Sequence, residues 1–291
     1  MASMRDIKRR KSSIQSTQQI TKAMKLVSTV KLQRSKTHAE QSRNYFQCMY
    51  DTVSSMLAKA GNLDHPYLKS GASEKKAVIV ITSNRGLAGG YNSNVVKLIT
   101  RGELKKEDLI IYAIGKKGRD AFVRYGYEVA DEDLSEVIEA PAYVDAMRLA
   151  DQLLKDFEDG KIGEIHLAYT AFKNTVVHEP KLLQLLPVQV PEKAQAEGTE
   201  EEKDDHTMMN FEPEADEALE LIIPKYITSL IYGALIEAVA SENGARMQAM
   251  DSATSNAEEM ISNLSLLYNR ARQGSITQEL TEIIAGAEAI S

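Results

Sequence analysis

The chain has 291 residues, of which 43% are hydrophobic and 26% charged, and a formal net charge of -7 at pH 7. This composition is typical of a globular protein with a packed core, and it argues against a protein whose whole surface binds nucleic acid. A single cysteine, Cys48, excludes an internal disulfide and a multi-cysteine metal site. We find no signal-peptide core and no run of about 18 apolar residues, so work at a membrane is expected to depend on a partner.

Residues 1–60 predict a first domain made of one helix, because neither glycine nor proline occurs between Ser3 and Ala60. About 55 residues at 1.5 Å each would make this helix roughly 80 Å long, far beyond the ordinary globular length. Its first part, from Met1 to Lys36, carries ten basic residues and one acid, Asp6. Its apolar positions predict a broad stripe with polar gaps, at Ile7, Ile14, Ile20, Met24, Val27, Met49, Val53 and Leu57.

Residues 61–212 predict an α/β domain. Gly61, Pro66 and Gly71 break the first helix, and three β-branched runs of buried-strand type follow at 77–83, 108–115 and 164–172. Helical patterns alternate with these strands, at "YNSNVVKLITRG", "GRDAFVRYGY" and "AYVDAMRLADQLLKDFEDG". This alternation predicts a parallel sheet covered on both faces. The run "TVVHEPKLLQLLPVQV" predicts an edge strand, since its prolines do not suit a central one.

Residues 213–291 predict a second long helix and a third domain. The segment before it, 191–206, is acidic and lacks large apolar side chains, which predicts a solvated loop. Pro224 is expected to kink the helix near its start rather than end it. A stripe of small residues continues into larger ones and predicts close antiparallel packing on the N-terminal helix, at Ala245, Ala249, Ala253, Ala257, Ile261, Leu264, Tyr268 and Ala271.

Two loops are candidates for an anion or nucleotide site. "TSNRGLAGGYNSN" (82–94) follows the first strand, as a dinucleotide loop would, but its spacing is not GxGxxG, which favours a structural turn. "GKKGRD" (115–120) places cations at a helix start, where an anion could bind, although a solvated strand exit is the commoner case. The five histidines are scattered without ligand spacing. We therefore predict no catalytic residue, no metal site and no cofactor.

Four stretches of the chain resemble the gamma subunit of the F-type ATP synthase. They are "QQITKAMKLVSTVKLQRS" (18–35), "SNRGLAGGYN" (83–92), "ASENGARMQAMDSATSNAEEMI" (240–261) and "LLYNRARQGSITQELTEI" (266–283). The resemblance covers essentially the whole chain in the right order. It implies an antiparallel coiled coil of the two terminal helices with an inserted Rossmann-like α/β domain.

The resemblance also implies a function: a rotor shaft that enters a ring of three alpha and three beta subunits and changes the geometry of their catalytic sites. The other implied partners are the epsilon subunit and the c-subunit ring, through which membrane contact would be indirect. The nearly uncharged tip, 285–291, whose single charged side chain is Glu288, would sit in an apolar sleeve at the closed end of the bore. A bacterial chain would lie peripherally on the cytoplasmic face of the cell membrane. Nucleic acid is not an expected partner.

Particular residues acquire roles by the same resemblance. Arg272, Gln273 and Thr277 match positions that meet a beta-subunit loop, and Met24 and Arg246 match positions linked to coupling efficiency. From the residues alone, plain core packing would be the preferred interpretation of Met24. The basic residues Arg9, Arg10 and Lys11 fit attraction to an acidic beta-subunit surface.

Two alternatives stay open on the sequence alone. A coiled-coil adaptor could use the basic helix on nucleic acid, and a salt-dependent shift on duplex DNA would favour it. A Rossmann enzyme with helical arms would instead bind a dinucleotide saturably. Neither has motif support. The number of c subunits and the resting rotor angle do not follow from the sequence.

Overall fold

The computed structural model describes residues 4–59, 65–188 and 215–288. Five helices and five strands follow one another in these ranges: α1 Met4–Lys59, β1 Lys76–Ile81, α2 Tyr91–Thr100, β2 Leu109–Ile114, α3 Lys116–Arg124, β3 Glu128–Val129, α4 Tyr143–Glu158, β4 Glu164–Phe172, β5 His178–Leu186 and α5 Ala215–Glu288. The three predicted strands and all the predicted helices are confirmed. The two-residue strand β3 was missed, because so short a segment carries no periodic signal. The predicted domain limits at 60/61 and 212/213, and the acidic loop 191–206, lie outside the described residues.

The strands form one sheet in the order β3-β2-β1-β4-β5. The first four are parallel, and β5 pairs antiparallel with β4 at the edge of the sheet. Pro180 lies in this edge strand opposite Thr170. An edge position tolerates proline because one side of the strand needs no ladder hydrogen bond, so the prediction of an edge strand is confirmed.

Both faces of the sheet are buried. On one face, Val78 and Val80 of β1 pack with Val95 of α2 and Phe122 of α3. On the other, the alternate β1 residues contact α4 and parts of α1 and α5 in a larger cluster that includes Val53, Leu153 and Ile227. A strand buried on both faces needs apolar residues at every position, which explains the unbroken run "AVIVI".

The chain divides into two compact units, and α1 and α5 contribute residues to both. The first unit, residues 1–29 with 246–291, is a helix pair in its described residues, 4–29 and 246–288. The second unit, 30–245, contains the sheet. In the helix pair, Gln18 contacts Glu258, Thr21 contacts Thr254, and Lys25 contacts Asp251. The partner numbers fall as the α1 numbers rise, so the two helices run antiparallel in this unit, as predicted.

The least exposed side chains of the helix pair recur every three or four residues on both helices. On α5 they are Met250, Thr254, Ala257, Ile261, Leu264, Tyr268 and Ala271. On α1 they are Met4, Ile7, Lys11, Ile14, Gln18, Thr21, Met24, Lys25 and Ser28. We call these two rows the seam. Within this unit the α5 prediction is confirmed, since Ala249 and Ala253 are half-buried and the stripe continues from Ala257 to Ala271. The α1 prediction is wrong at Ile20 and Val27, which are 60% and 58% exposed.

One helix in the described part of the chain, α5, is long and apolar enough to cross a membrane by length and composition. Its candidate stretch is Glu217–Ala287, with a mean hydropathy of 1.4 in the most apolar window. The sequence-based expectation that no stretch is long and apolar enough to span a bilayer is therefore wrong by this measure. Half of that window is buried inside the protein, where Leu219, Ile223, Ile227 and Ile231 pack in the apolar cluster against the sheet. A core helix with this much buried surface passes the same test.

Candidate functional surfaces

The last turns of α5 continue beyond the described part of α1, its partner in the helix pair. Extending the observed register places Met4, the first described residue, opposite residues 271–272. From Ile276 to Ala287 every residue is exposed. The exposed apolar side chains of this segment lie on one helix face, at Ile276, Leu280, Ile283 and Ile284. We call residues 272–288 the overhang.

Three residues matched to a beta-subunit loop begin the overhang. Arg272, Gln273 and Thr277 are all exposed. The Thr277 hydroxyl donates to the Gln273 carbonyl at 2.9 Å, a bond within the helix that uses its only proton. The lone pairs of the Thr277 oxygen therefore remain available as acceptors for a partner. Gln273 and Thr277 are four residues apart, so both side chains lie on one face.

The basic cluster at the start of α1 is split by the helix geometry. Arg9 and Arg10 are exposed, and Arg9 forms an ion pair with Asp6 at 3.5 Å. Lys11 is half-buried and occupies a seam position. Its stem can cover apolar surface while the ammonium group reaches water. Arg9 and Arg10 therefore face outward, and Lys11 is directed partly toward the partner helix.

The two residues matched to coupling, Met24 and Arg246, are both half-buried in the helix pair. Met24 lies between Thr21 and Lys25, two seam residues that make polar contacts to α5. It therefore sits beside a polar level of the seam rather than in an apolar core. This polar level was not identified from the sequence. Its signal was present, since Gln18, Thr21, Lys25 and Ser28 follow the 3-4 spacing, but a search for apolar residues passes over it.

In the candidate anion loop after β2, the backbone N–H groups that could bind an anion already donate to other parts of the protein. Gly118 N–H donates to the Thr82 hydroxyl at 2.9 Å, and Lys116 N–H donates to the Asn84 side chain at 3.0 Å. Lys117 N–H donates to the Ser83 carbonyl at 3.1 Å. An anion at a helix start needs free N–H groups, and these three are taken. The structure therefore favours the structural interpretation of "GKKGRD".

The glycine-rich loop 82–94 is likewise tied to neighbouring segments. The Asn92 side chain accepts from Ser83 N–H at 2.9 Å, and the Tyr91 hydroxyl donates to the Ala238 carbonyl at 3.2 Å. These contacts hold the loop as a structural turn between β1 and α2. Leu87 adopts a positive φ of 64° and is 63% exposed.

Histidine and acidic side chains do not converge on a metal site in the ranges that the structure describes. His166 bonds to Glu164 at 2.9 Å, and Glu164 also pairs with Lys76 at 2.8 Å. Burial lowers the pKa of His166, although Glu164 opposes the effect. The arrangement is an ion-paired cluster at the start of β4.

These features define a class: α/β proteins in which a mainly parallel sheet lies, in sequence, between two long terminal helices that also form an antiparallel pair. A family model described as ATP synthase matches residues 3–290. The chain is 65% identical to the ATP synthase gamma chain of Lachnoclostridium phytofermentans, over the full length of both. It therefore belongs to the gamma-subunit family of the F-type ATP synthases.

Other relatives agree with this assignment. The chain is 40% identical to a gamma chain of Acetobacterium woodii described as sodium ion specific, with 99% of each chain covered. Among solved structures, a mitochondrial ATP synthase of Euglena gracilis described as OSCP/F1/c-ring matches with a TM-score of 0.67 and 18% identity, over 99% of this chain and 94% of that one. A central stalk and c-ring structure from Tetrahymena thermophila matches with a TM-score of 0.55 and 23% identity, over 80% and 99%. At such identities the structures support the fold alone.

Proposed function

We propose that this chain is the rotor shaft of an F-type ATP synthase and carries torque between a c-subunit ring and a catalytic ring of three alpha and three beta subunits. It performs no catalysis, and its angle sets the conformation of each beta subunit and so regulates ATPase activity and ion flow. Such coupling requires only that the contact free energy between shaft and ring differs among angular states.

The observation that carries the proposal is the overhang. A single helix that exposes four large apolar side chains along one face is unfavourable in water, and surfaces of this kind mark binding sites. A narrow apolar sleeve around the apolar face of the overhang, continuing to the expected tip at 285–291, would cover these side chains without directional bonds. Residues 289–291 of that tip lie outside the described residues. Apolar contact without directional bonds permits rotation, as a bearing requires.

Polar contacts supplement the sleeve at two levels. Arg272, Gln273 and Thr277 would meet a beta-subunit loop through modest hydrogen bonds. Arg9 and Arg10, with Lys11 beside them, would attract an acidic beta-subunit surface over several ångströms with little preference for angle. Met24 and Arg246 would affect coupling efficiency from within the helix pair.

At the membrane end, the proposed partners are the epsilon subunit and the c ring, with the complex on the cytoplasmic face of a bacterial membrane. We propose protons as the coupling ion, and the sodium-specific relative makes sodium the alternative to exclude. ATP synthesis in reconstituted vesicles, driven by a pH gradient with and without sodium, decides between them. Unchanged synthesis in sodium-free buffer supports protons; synthesis that requires sodium overturns that choice.

Reconstitution tests the shaft itself. Purified alpha and beta subunits are combined with and without this chain, and assembly and ATPase rate are recorded. We expect a complex with one copy of this chain per three alpha–beta pairs and an ATPase rate that depends on its presence. A chain that elutes free of the ring under all conditions would refute the proposal.

A further inference from the structure

The amphipathic pattern of α1 is inverted between residues 18 and 28. Thr21 and Ser28 are only 8% and 2% exposed, whereas Ile20 and Val27 are 60% and 58% exposed. At 100° per residue, Ile20 and Val27 lie about 100° around the helix from Thr21 and Ser28, outside the side that faces α5. An ordinary helix pair would bury the apolar side chains and expose the hydroxyls.

Three polar contacts to α5 occupy this level of the seam. The Gln18 amide donates to Glu258 at 3.0 Å, the hydroxyls of Thr21 and Thr254 lie 2.8 Å apart, and Lys25 pairs with Asp251. We call these six residues the polar clasp. The threonine pair is buried, and Thr254 also donates to the Met250 carbonyl at 2.7 Å. The other two contacts of the polar clasp are the Lys25–Asp251 ion pair and the hydrogen bond from Gln18 to Glu258. Both lie at the edges of the seam, where they are exposed.

Hydrophobic burial alone would favour a different arrangement. Rolling α1 about its own axis would bring Ile20 and Val27 toward α5 and remove apolar surface from water, because burial is favourable and has no preferred direction. Hydrogen bonds and ion pairs depend on distance and angle, so a roll breaks the contacts between the two helices. Thr21 and Thr254 would then keep only the Gln18 and Met250 carbonyls of their own helices as partners, and the Lys25–Asp251 and Gln18–Glu258 contacts would be lost. The observed orientation is the one that satisfies the polar clasp.

We propose that the polar clasp fixes the rotation of α1 about its own axis and thereby keeps Ile20 and Val27 facing outward. Ile20 and Val27 would then meet the surrounding ring of alpha and beta subunits, a consequence that rests on the proposed function. The clasp residues are positioning residues, and Met24 lies between two of them. A change in the clasp then alters coupling through the orientation of α1, without any contact between the clasp and the ring.

Thiol labelling of the full-length chain reads this orientation directly. Cys48 is exposed and is replaced by serine, and single cysteines are placed at Val27→Cys or Ser28→Cys. In the otherwise natural chain we expect fast maleimide labelling at position 27 and slow labelling at position 28. Lys25→Asp places a second carboxylate beside Asp251, and the repulsion should cause α1 to roll. Labelling should then become slower at position 27 and faster at position 28. We expect each rate to change by about two- to fivefold, because an exposed ion pair contributes a modest free energy.

The charge swap Lys25→Asp with Asp251→Lys restores attraction and should restore both labelling rates. Should Lys25→Asp fail to fold, Thr21→Val with Thr254→Val replaces it, since valine keeps the shape and removes the bond. Exchanging the charges of Lys36 and Glu40, an exposed pair within α1 itself, is the matched control and should change neither rate. Equal rates in all variants, or rates that rise at both positions because the helices separate, would overturn the proposal.

Coupling in membrane vesicles supplies the functional readout. The number of ions pumped per ATP hydrolysed should fall with Lys25→Asp and recover with the charge swap. A ratio that stays constant while labelling changes would overturn the link between orientation and coupling. If the natural chain fails to join the ring but the labelling rates move as expected, the proposed function is wrong and the orientation role of the clasp stands.

Discussion

Gly244 in α5 leaves the space that the imidazole of His178 occupies: a β-carbon at Gly244 would lie 2.6 Å from Cε1 of His178. We expect Gly244→Ala to lower the free energy of unfolding by about 1–2 kcal/mol, because the cost of overpacking exceeds the roughly 1 kcal/mol that alanine gains over glycine in a helix. Urea unfolding measures the change. In a His178→Ala background the same substitution should stabilise the protein, and an equal loss in both backgrounds would show that the ring is not the cause.

Thr82 likewise leaves no space for a β-carbon at Gly118, at the start of α3. A β-carbon at Gly118 would lie 2.6 Å from the Thr82 hydroxyl oxygen, the atom that accepts from Gly118 N–H. Gly118→Ala should therefore cost about 1–3 kcal/mol in unfolding free energy. Gly274→Ala is the control, since its β-carbon would meet no atom within 4 Å and alanine favours the helix by about 1 kcal/mol. Equal unfolding midpoints for the two variants would contradict the steric argument.

The sheet and the helices could be predicted from the sequence because their apolar patterns are strong. The run "AVIVI" has no plausible place except a strand buried on both faces, and the alternation of strands and helices gives the parallel order. The seam of α1 could not be predicted in this way. Ile20 and Val27 are the apolar residues, yet they face outward while Thr21 and Ser28 are buried. A pattern search assumes that the core is apolar, and here directional polar contacts determine the buried side.

Residue roles at the overhang are a different case. Gln273 and Thr277 are exposed because the described part of α1 begins at Met4, which the register of the pair places opposite residues 271–272. What these side chains bind is carried by family membership and not by any contact within the chain. At the overhang, the structure gives the exposure of the side chains, and the resemblance to the gamma-subunit family supplies the proposed partner.

Two histidines make stability depend on pH. Burial lowers the pKa of His166 and of His178 in the folded protein, so the unfolded chain, with imidazole pKa near 6.5, binds protons more readily. The stability is full above about pH 6.5 and is lost as the pH falls through the folded-state pKa values. Urea midpoints at pH 7.5 and 5.5 should show the decrease. His166→Gln keeps a donor for Glu164 and should reduce the decrease; an unchanged slope would exclude His166 as a contributor.

Neutralising Arg9, Arg10 and Lys11 together to glutamine should slow assembly with the ring and weaken torque transmission. On the proposed function the exposed arginines would attract the ring over a long range, so the loss should be largest at low ionic strength and shrink at high salt. Glutamine at Lys97, Arg101 and Lys105 removes the same charge from exposed sites of the sheet-containing unit and serves as the control. Proton-coupled ATP synthesis equal to that of the natural chain would rule out a role for the basic cluster.

Thr277→Ala should reduce the ATPase rate of the reconstituted ring by about two- to tenfold, the range expected when one hydrogen bond to a partner is lost. The Thr277 oxygen can only accept from a partner, since its proton is used by the Gln273 carbonyl, so Thr277→Ser should keep the activity. Gln273→Ala should give a loss of similar size, because its amide lies on the same helix face. Thr281→Ala is the matched control: the Thr281 hydroxyl makes the same bond to the Thr277 carbonyl at 2.8 Å, one turn further along. If Thr281→Ala impairs the rate as much as Thr277→Ala, the effect belongs to the helix backbone and not to a contact with the beta subunit.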